Sequence, residues 1–284
     1  FICCYGWKDG EAREEICRPE KGVGSWSISD VQRPDPAGNR LRVYVGVNRG
    51  VVEQVHAYSA SCRVDTTWPV QSLDGVGQGE SLDLMRGLAL DDPGKHPRLR
   101  GHALSVVASH LAPGSVHTLT ALSEPGLDAK LREDALFWLG QTRHSLAMEV
   151  LARRLDDEPT AKLREHILFS MSQMGLPEAA RRIERAARQD VSPDVRSHGW
   201  FCLALTRDPG AESAITAAIQ NDRDPQVREG AVFALGQLPG RRGVEALLRT
   251  LRTSDDAGVK RQALFWLAES KDPEAMEKID ELLE

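Results

Sequence analysis

A basic residue preceded by Leu or Val recurs at positions 100, 132, 164, 196, 228 and 260, always 32 residues apart. The surrounding strings are LRGHALSVVA, LREDALFWLG, LREHILFSMS, VRSHGWFCLA, VREGAVFALG and VKRQALFWLA. Six copies at a period of roughly 20–50 residues mark a stack of supersecondary units, none of which buries its apolar side without a neighbour. Each unit divides into two helices. In the first, Leu131, Ala135, Leu136 and Leu139 form a helical stripe. Pro97, Pro193 and Pro225 precede that helix, with Asp194 and Asp224 nearby, as expected of a helix start. The second helix is shorter and more variable, as in LAMEVLARRL (146–155) and GVEALLRTL (243–251). RDPG (207–210) and LPGR (238–241) are turns.

Two further columns share the period. Ala108, Gly140, Ser172, Ala204, Gly236 and Ala268 are small, which predicts close approach of paired helices. Phe137, Phe169, Phe201, Phe233 and Phe265 form an aromatic column broken by Ser105. The expectation is a core stripe, each Phe→Ala costing roughly 3–5 kcal/mol.

DPQVREGAVFALGQL (224–238) and AKLREDALFWLGQT (129–142) resemble HEAT repeats, specifically the short bacterial kind found in phycobilisome-lyase-like proteins. Lys260, Gly199 and Ile167 depart from that pattern. The resemblance implies a mainly α fold: a right-handed HEAT-type α-solenoid of about six helix pairs, preceded by a small β-containing N-terminal region. The expected layout is a cysteine-containing region over 1–78, a linking helix over 79–95 and the solenoid over 96–284. Repeats fall near 96–127, 128–159, 160–191, 192–223, 224–256 and 257–284. The resemblance also implies that Arg100, Arg132, Arg164, Arg196, Arg228 and Lys260 form a structural ladder between units. Asp156, Asp157, Asp222 and Asp224 are candidate partners.

Chemistry is thinly represented. Two places after the basic column come His102, Asp134, His166, His198, Gly230 and Gln262. His and Asp in register are metal-ligand types, and some HEAT-repeat enzymes, the deoxyhypusine hydroxylases, hold a di-iron centre with His-Glu pairs. No His-Glu dipeptide occurs here, and units stacked about 10 Å apart keep imidazoles from converging on one ion. These positions are therefore expected to be polar surface or inter-unit hydrogen bonds, with no metal and no cofactor. Nucleophile-elbow, phosphate-loop, dinucleotide and H-E-x-x-H patterns are absent from the sequence.

Before the repeats, LRVYVGV (41–47), Asn48-Arg49-Gly50 and VVEQVHAYS (51–59) predict a β-hairpin. WSISD (26–30) has the residue types of a further strand, and SLDLMRGLA (81–89) predicts a helix capped by Ser81. His56 and Tyr58 are read as surface or packing residues. Cys3, Cys4, Cys17 and Cys62 cluster in the first 62 residues, while Cys202 stands alone in a repeat. Four thiols in an irregular region predict disulfides, with a zinc site as the rival. Together with Phe1 in place of a start methionine, they favour a periplasmic or otherwise extracytoplasmic location after a signal segment, a cytoplasmic one remaining open.

With 36 basic against 42 acidic residues, a net charge of -6 argues against general nucleic-acid binding. No run of 18 apolar residues exists to span a bilayer. The expected function is a non-catalytic protein–protein interaction scaffold, or an accessory subunit of a larger assembly that includes membrane-associated ones. The alternative is a lyase-like or metal-dependent enzyme using the solenoid groove.

Overall fold

The computed structural model describes residues 16–17, 41–59, 63–64, 70–73, 76–91 and 97–283. The chain divides into two compact units, Phe1–Trp138 and Leu139–Glu284.

In the first unit, β1 (Ile16–Cys17) pairs in parallel with β4 (Arg63–Val64), and β2 (Leu41–Asn48) pairs antiparallel with β3 (Val51–Ser59). The hairpin turns at Arg49 and Gly50, at φ 49 and φ 78. Two left-handed residues match the twist of the flanking strands, which explains the Gly in that turn. Val43 faces Ala57 and Val45 faces Val55 on one side of the ribbon; Arg42 faces Tyr58 and Tyr44 faces His56 on the other. Val55, His56, Ala57 and Tyr58 are all buried, so both sides of β3 are covered. Helix α2 (Pro97–Ser109) packs on β3, bringing His102 within 5.3 Å of His56 between ring centroids. His56 and Tyr58 are thus packing residues, their rings stacked 5.8 Å apart.

This clasp has a titration signature. Burial, then the charge of His102, pushes His56 from its ordinary 6.5 down to about 4, and burial followed by Arg98 lowers His102 as well. Between those values the unfolded chain binds the proton that the folded chain refuses, so stability must rise with pH there. Stability should therefore fall as pH drops from 6.5 towards 4 and gain no further loss from His56 below that. Urea denaturation across this window would show a shallower slope for His56→Phe. Identical slopes for variant and wild type would refute the assignment.

Helix α1 (Gln78–Leu90) begins earlier than Ser81. The Gly77 amide donates to Glu80 Oε2 at 2.6 Å, so a carboxylate in the first turn caps the helix. The Ser81 hydroxyl instead meets His110 Nε2 at 3.0 Å. Helices α1, α2 and α3 (Gly114–Leu122) pack on one another. The WSISD strand lies outside the described residues.

No disulfide forms among the described residues, which corrects the expected disulfide bond. Cys17 pairs in register with Val64 in the β1–β4 ladder. Cys3, Cys4 and Cys62 lie outside the described residues. Cys202 is a free, fully buried thiol whose pKa burial pushes up, as befits a small packing side chain.

The second unit is a stack of helices. After α4 (Ala129–Gln141), which crosses the unit boundary, come α5 (Ser145–Asp157), α6 (Ala161–Ser172), α7 (Pro177–Gln189), α8 (Pro193–Leu205) and α9 (Ala211–Asn221). They continue through α10 (Pro225–Gly236), α11 (Arg241–Thr253), α12 (Ala257–Glu269) and α13 (Pro273–Leu283). Motif helices α6, α8, α10 and α12 lie side by side in one layer. Each of α8, α10 and α12 packs more closely on the helix before it than on the one after it. The tight hairpins are thus α7–α8, α9–α10 and α11–α12, half a unit out of phase with the sequence repeat.

Leu163, Val195, Val227 and Val259 are buried beside Ile167, Ala231 and Ala263, with Met171, Leu203, Leu235 and Leu267 completing the core stripe. The phenylalanines lie elsewhere, contrary to the core-stripe expectation: Phe137, Phe169, Phe201 and Phe233 are half-buried and Phe265 is 52% exposed. Helical residues are about 100° apart, so the residue after the buried Leu168 or Val232 turns off the core.

The small column is real but uneven. A Cβ at Gly140 would meet Ser170 backbone in α6, its carbonyl carbon at 2.9 Å and its Cα at 3.1 Å. At Gly236 the nearest atoms are Leu247 Cδ1 at 3.7 Å and Trp266 Cβ at 3.9 Å, which is ordinary contact. Gly140→Ala should cost about 1–3 kcal/mol by overpacking. Gly236→Ala should be neutral or stabilise by up to about 1 kcal/mol through helix propensity. Melting temperatures moving together in the two variants would contradict this.

Candidate interaction surface

The basic column places its guanidinium groups at the hairpin turns. Arg164 donates through Nε and Nη2 to Asp190 Oδ2 and Oδ1, both at 2.8 Å, and through Nη1 to the carbonyls of Glu158 and Pro159. Arg196 grips Asp222 with two bonds of 3.0 Å and donates its third to the Asp190 carbonyl, also at 3.0 Å. Arg228 donates to Asp256 Oδ2 at 2.8 and 3.2 Å and to the Asp222 carbonyl at 3.0 Å. In the first unit, Arg100 reaches Asp128 at 2.7 Å and the Ala89 carbonyl at 3.1 Å.

Arg164, Arg196 and Arg228 therefore each tie the turn before their own helix to the turn one unit later, and Arg100 ties the last turn of α1 to Asp128. The acids also order the backbone, accepting from the amides of Ser192 (Asp190), Asp224 (Asp222), Gly258 and Val259 (Asp256), and Leu131 (Asp128). Burial pushes Asp222 up, but the hydrogen bonds of Arg196 and the Asp224 amide and the charges of Arg196 and Arg223 hold it below the ordinary carboxylate value. Asp256 is lowered chiefly by its Arg228 hydrogen bond.

Of the candidate partners, Asp222 is a rung, Asp224 caps α10, and Asp156 pairs with Arg182 of α7 at 2.6 Å. Asp128, Asp190 and Asp256 were missed. Their signal is present in the chain: Asp190 and Asp222 share one column of period 32, and Asp128, Asp224 and Asp256 share another two places on. Arg132 is half-buried on α4, and the Lys260 side chain makes no hydrogen bond among the described residues.

The aromatic column makes a second row across the same helices. Phe201 stacks on Phe233 at 5.4 Å, and Phe233 meets Trp266 at 4.7 Å. Trp266 packs edge-on against Phe265 at 4.9 Å. His198 flanks the row 5.7 Å from Phe201, its pKa lowered by burial first. In the first unit, Phe137 and Trp138 form an edge-to-face pair at 5.4 Å. These rings contact their neighbours yet keep part of their surface in solvent.

The His/Asp column is drawn to separate neighbours. His102 lies against His56, His198 against Phe201, and Asp134 pairs with Lys130 at 2.9 Å. His166 is half-buried on α6. No group of three or more His, Cys, Asp or Glu that could hold a metal occurs among the described residues. No helix among them is long and apolar enough to cross a membrane.

Residues 185–268 match a family model described as HEAT repeats. A comparison with curated proteins gives no match. Among solved structures, human deoxyhypusine hydroxylase in complex with glycerol is similar at 17% identity and a TM-score of 0.39, over 70% of this chain and 76% of that one. The complex of CpcE and CpcF of phycocyanin lyase from Nostoc sp. PCC7120 is similar at 19% identity and a TM-score of 0.37, over 71% of this chain and 79% of that one. Neither score carries an argument about chemistry. The helix pairs, the period and the family match agree on the fold: a mainly α, HEAT-type α-solenoid of stacked helix pairs, preceded by a small β region.

Proposed function

We propose that the chain is a non-catalytic scaffold or accessory subunit that binds another protein or a multisubunit assembly, including one at a membrane. The observation that carries this is the ring row Phe201–Phe233–Trp266–Phe265, ending in a phenylalanine 52% exposed. Aromatic side chains fixed on rigid helices bring large contact area with little ordering cost, which is the character of interface anchors. The ladder supports the same reading from another side. Its buried charges are satisfied within the chain, so they lock the spacing on which the rings are displayed. Among HEAT-type repeats, the strings DPQVREGAVFALGQL and AKLREDALFWLGQT favour the short bacterial kind shared with phycobilisome-lyase-like proteins.

The test is gentle purification from the native cells, comparing wild type with Phe201→Ser/Phe265→Ser. A stoichiometric protein partner should accompany the wild type and leave the variant, while the variant keeps its helical circular-dichroism signal. A partner retained equally by both would remove the aromatic row from the interface. A protein that migrates alone with a coloured or metal ligand would turn the argument to the enzyme alternative.

A further inference from the structure

Between the C-terminal ends of α7 and α9 and the first turns of α8 lies an open cavity of about 370 Å³, at the small end of ligand sites. Arg188, Gln189 and Asp190 line it from α7 and its turn, Arg196 and Trp200 from α8, and Ala217, Ala218, Asn221, Asp222 and Arg223 from α9 and its turn. The balance of donors and acceptors here is one-sided. Asp190 is held by Arg164 and the Ser192 amide, and Asp222 by Arg196 and the Asp224 amide, so both carboxylates and one guanidinium are already satisfied.

Donors are left over. Arg223 is exposed and forms no ion pair among the described residues. Arg188 shares one oxygen of Glu184 and lies over the Trp200 ring at 5.4 Å. Trp200 is 1% exposed, and its indole N–H finds no acceptor among the described residues. Ala217, Ala218 and the indole supply an apolar side.

We propose that this cavity binds a carboxylate-bearing segment of a partner protein, an Asp or Glu beside an apolar residue. Arg188 and Arg223 take the carboxylate, and Trp200 with Ala217 and Ala218 lines the side that receives the apolar residue. The proposal rests on the interaction reading above for its class of ligand, but on a different surface from the aromatic row. Arginine pairs with planar carboxylates through two parallel bonds, which a lysine rim would not offer.

The experiment uses the full chain labelled with nitrogen-15, its Trp200 indole resonance assigned from Trp200→Phe. An acetylated octapeptide of Glu and Phe is titrated against its Gln counterpart and, separately, inorganic phosphate. The Glu peptide should shift the Trp200 indole signal saturably. The Gln peptide and Arg188→Ala/Arg223→Ala should each weaken the effect roughly tenfold or more. Both arginines are exposed, so the double variant should keep its melting temperature. No saturable shift, equal binding of Glu and Gln peptides, or undiminished binding by the double variant would overturn the proposal. Phosphate reproducing the shift at the same concentration would overturn the peptide class. The titration needs no native partner. Its failure alongside a partner that co-purifies with the wild type would remove this cavity alone, whereas a wild-type chain that purifies with no protein partner would remove the interaction reading.

Discussion

Trp200→Ala should lower the unfolding free energy by about 3–5 kcal/mol, the range for truncating a buried aromatic. Trp200 is 1% exposed on α8, which packs against α6, α7, α9 and α10, so the void has rigid walls on several sides. Its neighbour Gly199 brings α7 so close that an added Cβ would sit 2.8 Å from the Ala187 Cβ and 3.0 Å from its Cα. Such a contact leaves little room for the helices to collapse into the space. Phe265→Ala is the internal control, because a ring 52% exposed loses far less on truncation. Urea unfolding of both variants measures the difference. Losses of equal size at 200 and 265 would mean that the buried stripe, as assigned, is not what holds the stack.

Arg196→Ala should be comparably damaging, by about 3–5 kcal/mol, since removing one partner of a buried pair strands the other charge. The side chains of Arg196 and Asp222 are 3% and 9% exposed. The Arg228–Asp256 rung has the same design at 22% and 36%, so Arg228→Ala should cost no more than about 1 kcal/mol. Adding Asp222→Ala to Arg196→Ala should restore part of the loss by deleting the stranded carboxylate. The acid limb carries a second signature. In the wild type Asp222 titrates below its ordinary 3.8. Folding therefore keeps this contribution above that pH and loses it as pH falls through the lower folded value. Without Arg196, burial acts on Asp222 with less opposition and its folded pKa rises, so the variant, already weaker at neutral pH, should lose less further stability than the wild type as the pH falls through the acid range. Chemical denaturation between about pH 3 and 7 separates the cases. Arg196→Ala and Arg228→Ala with equal effects would show that burial does not set the strength of the ladder.

The 32-residue period, the helix stripe and the hairpin turn at Arg49-Gly50 were legible because they are local: helical spacing, helix-start residues and a left-handed turn each need only near neighbours. The arginine column was equally legible as a column, but its partners were only partly so. An arginine meets an aspartate 26 residues on where the acid ends one helix, as at Asp190 and Asp222, and 28 residues on where it begins the next, as at Asp128 and Asp256. Both acidic columns were visible at period 32, yet which one each arginine reaches depends on how two turns face each other.

The phenylalanines show the same limit more sharply. Period and apolar character mark Phe201, Phe233 and Phe265 as belonging to the stack, and the core stripe beside them is nearly continuous with them in sequence. Side-chain direction separates the two sets: Val232 is buried, while Phe233 one place on meets Phe201 and Trp266 at the surface. The sequence alone determined a stack of six related helical units with an arginine in each first helix or, in the last, a lysine. Tertiary structure decided that those helices pair backwards across Asp-bearing turns, and that the aromatic column points outward. Both outcomes depend on which neighbour a helix packs against, a long-range choice among faces that local periodicity leaves open.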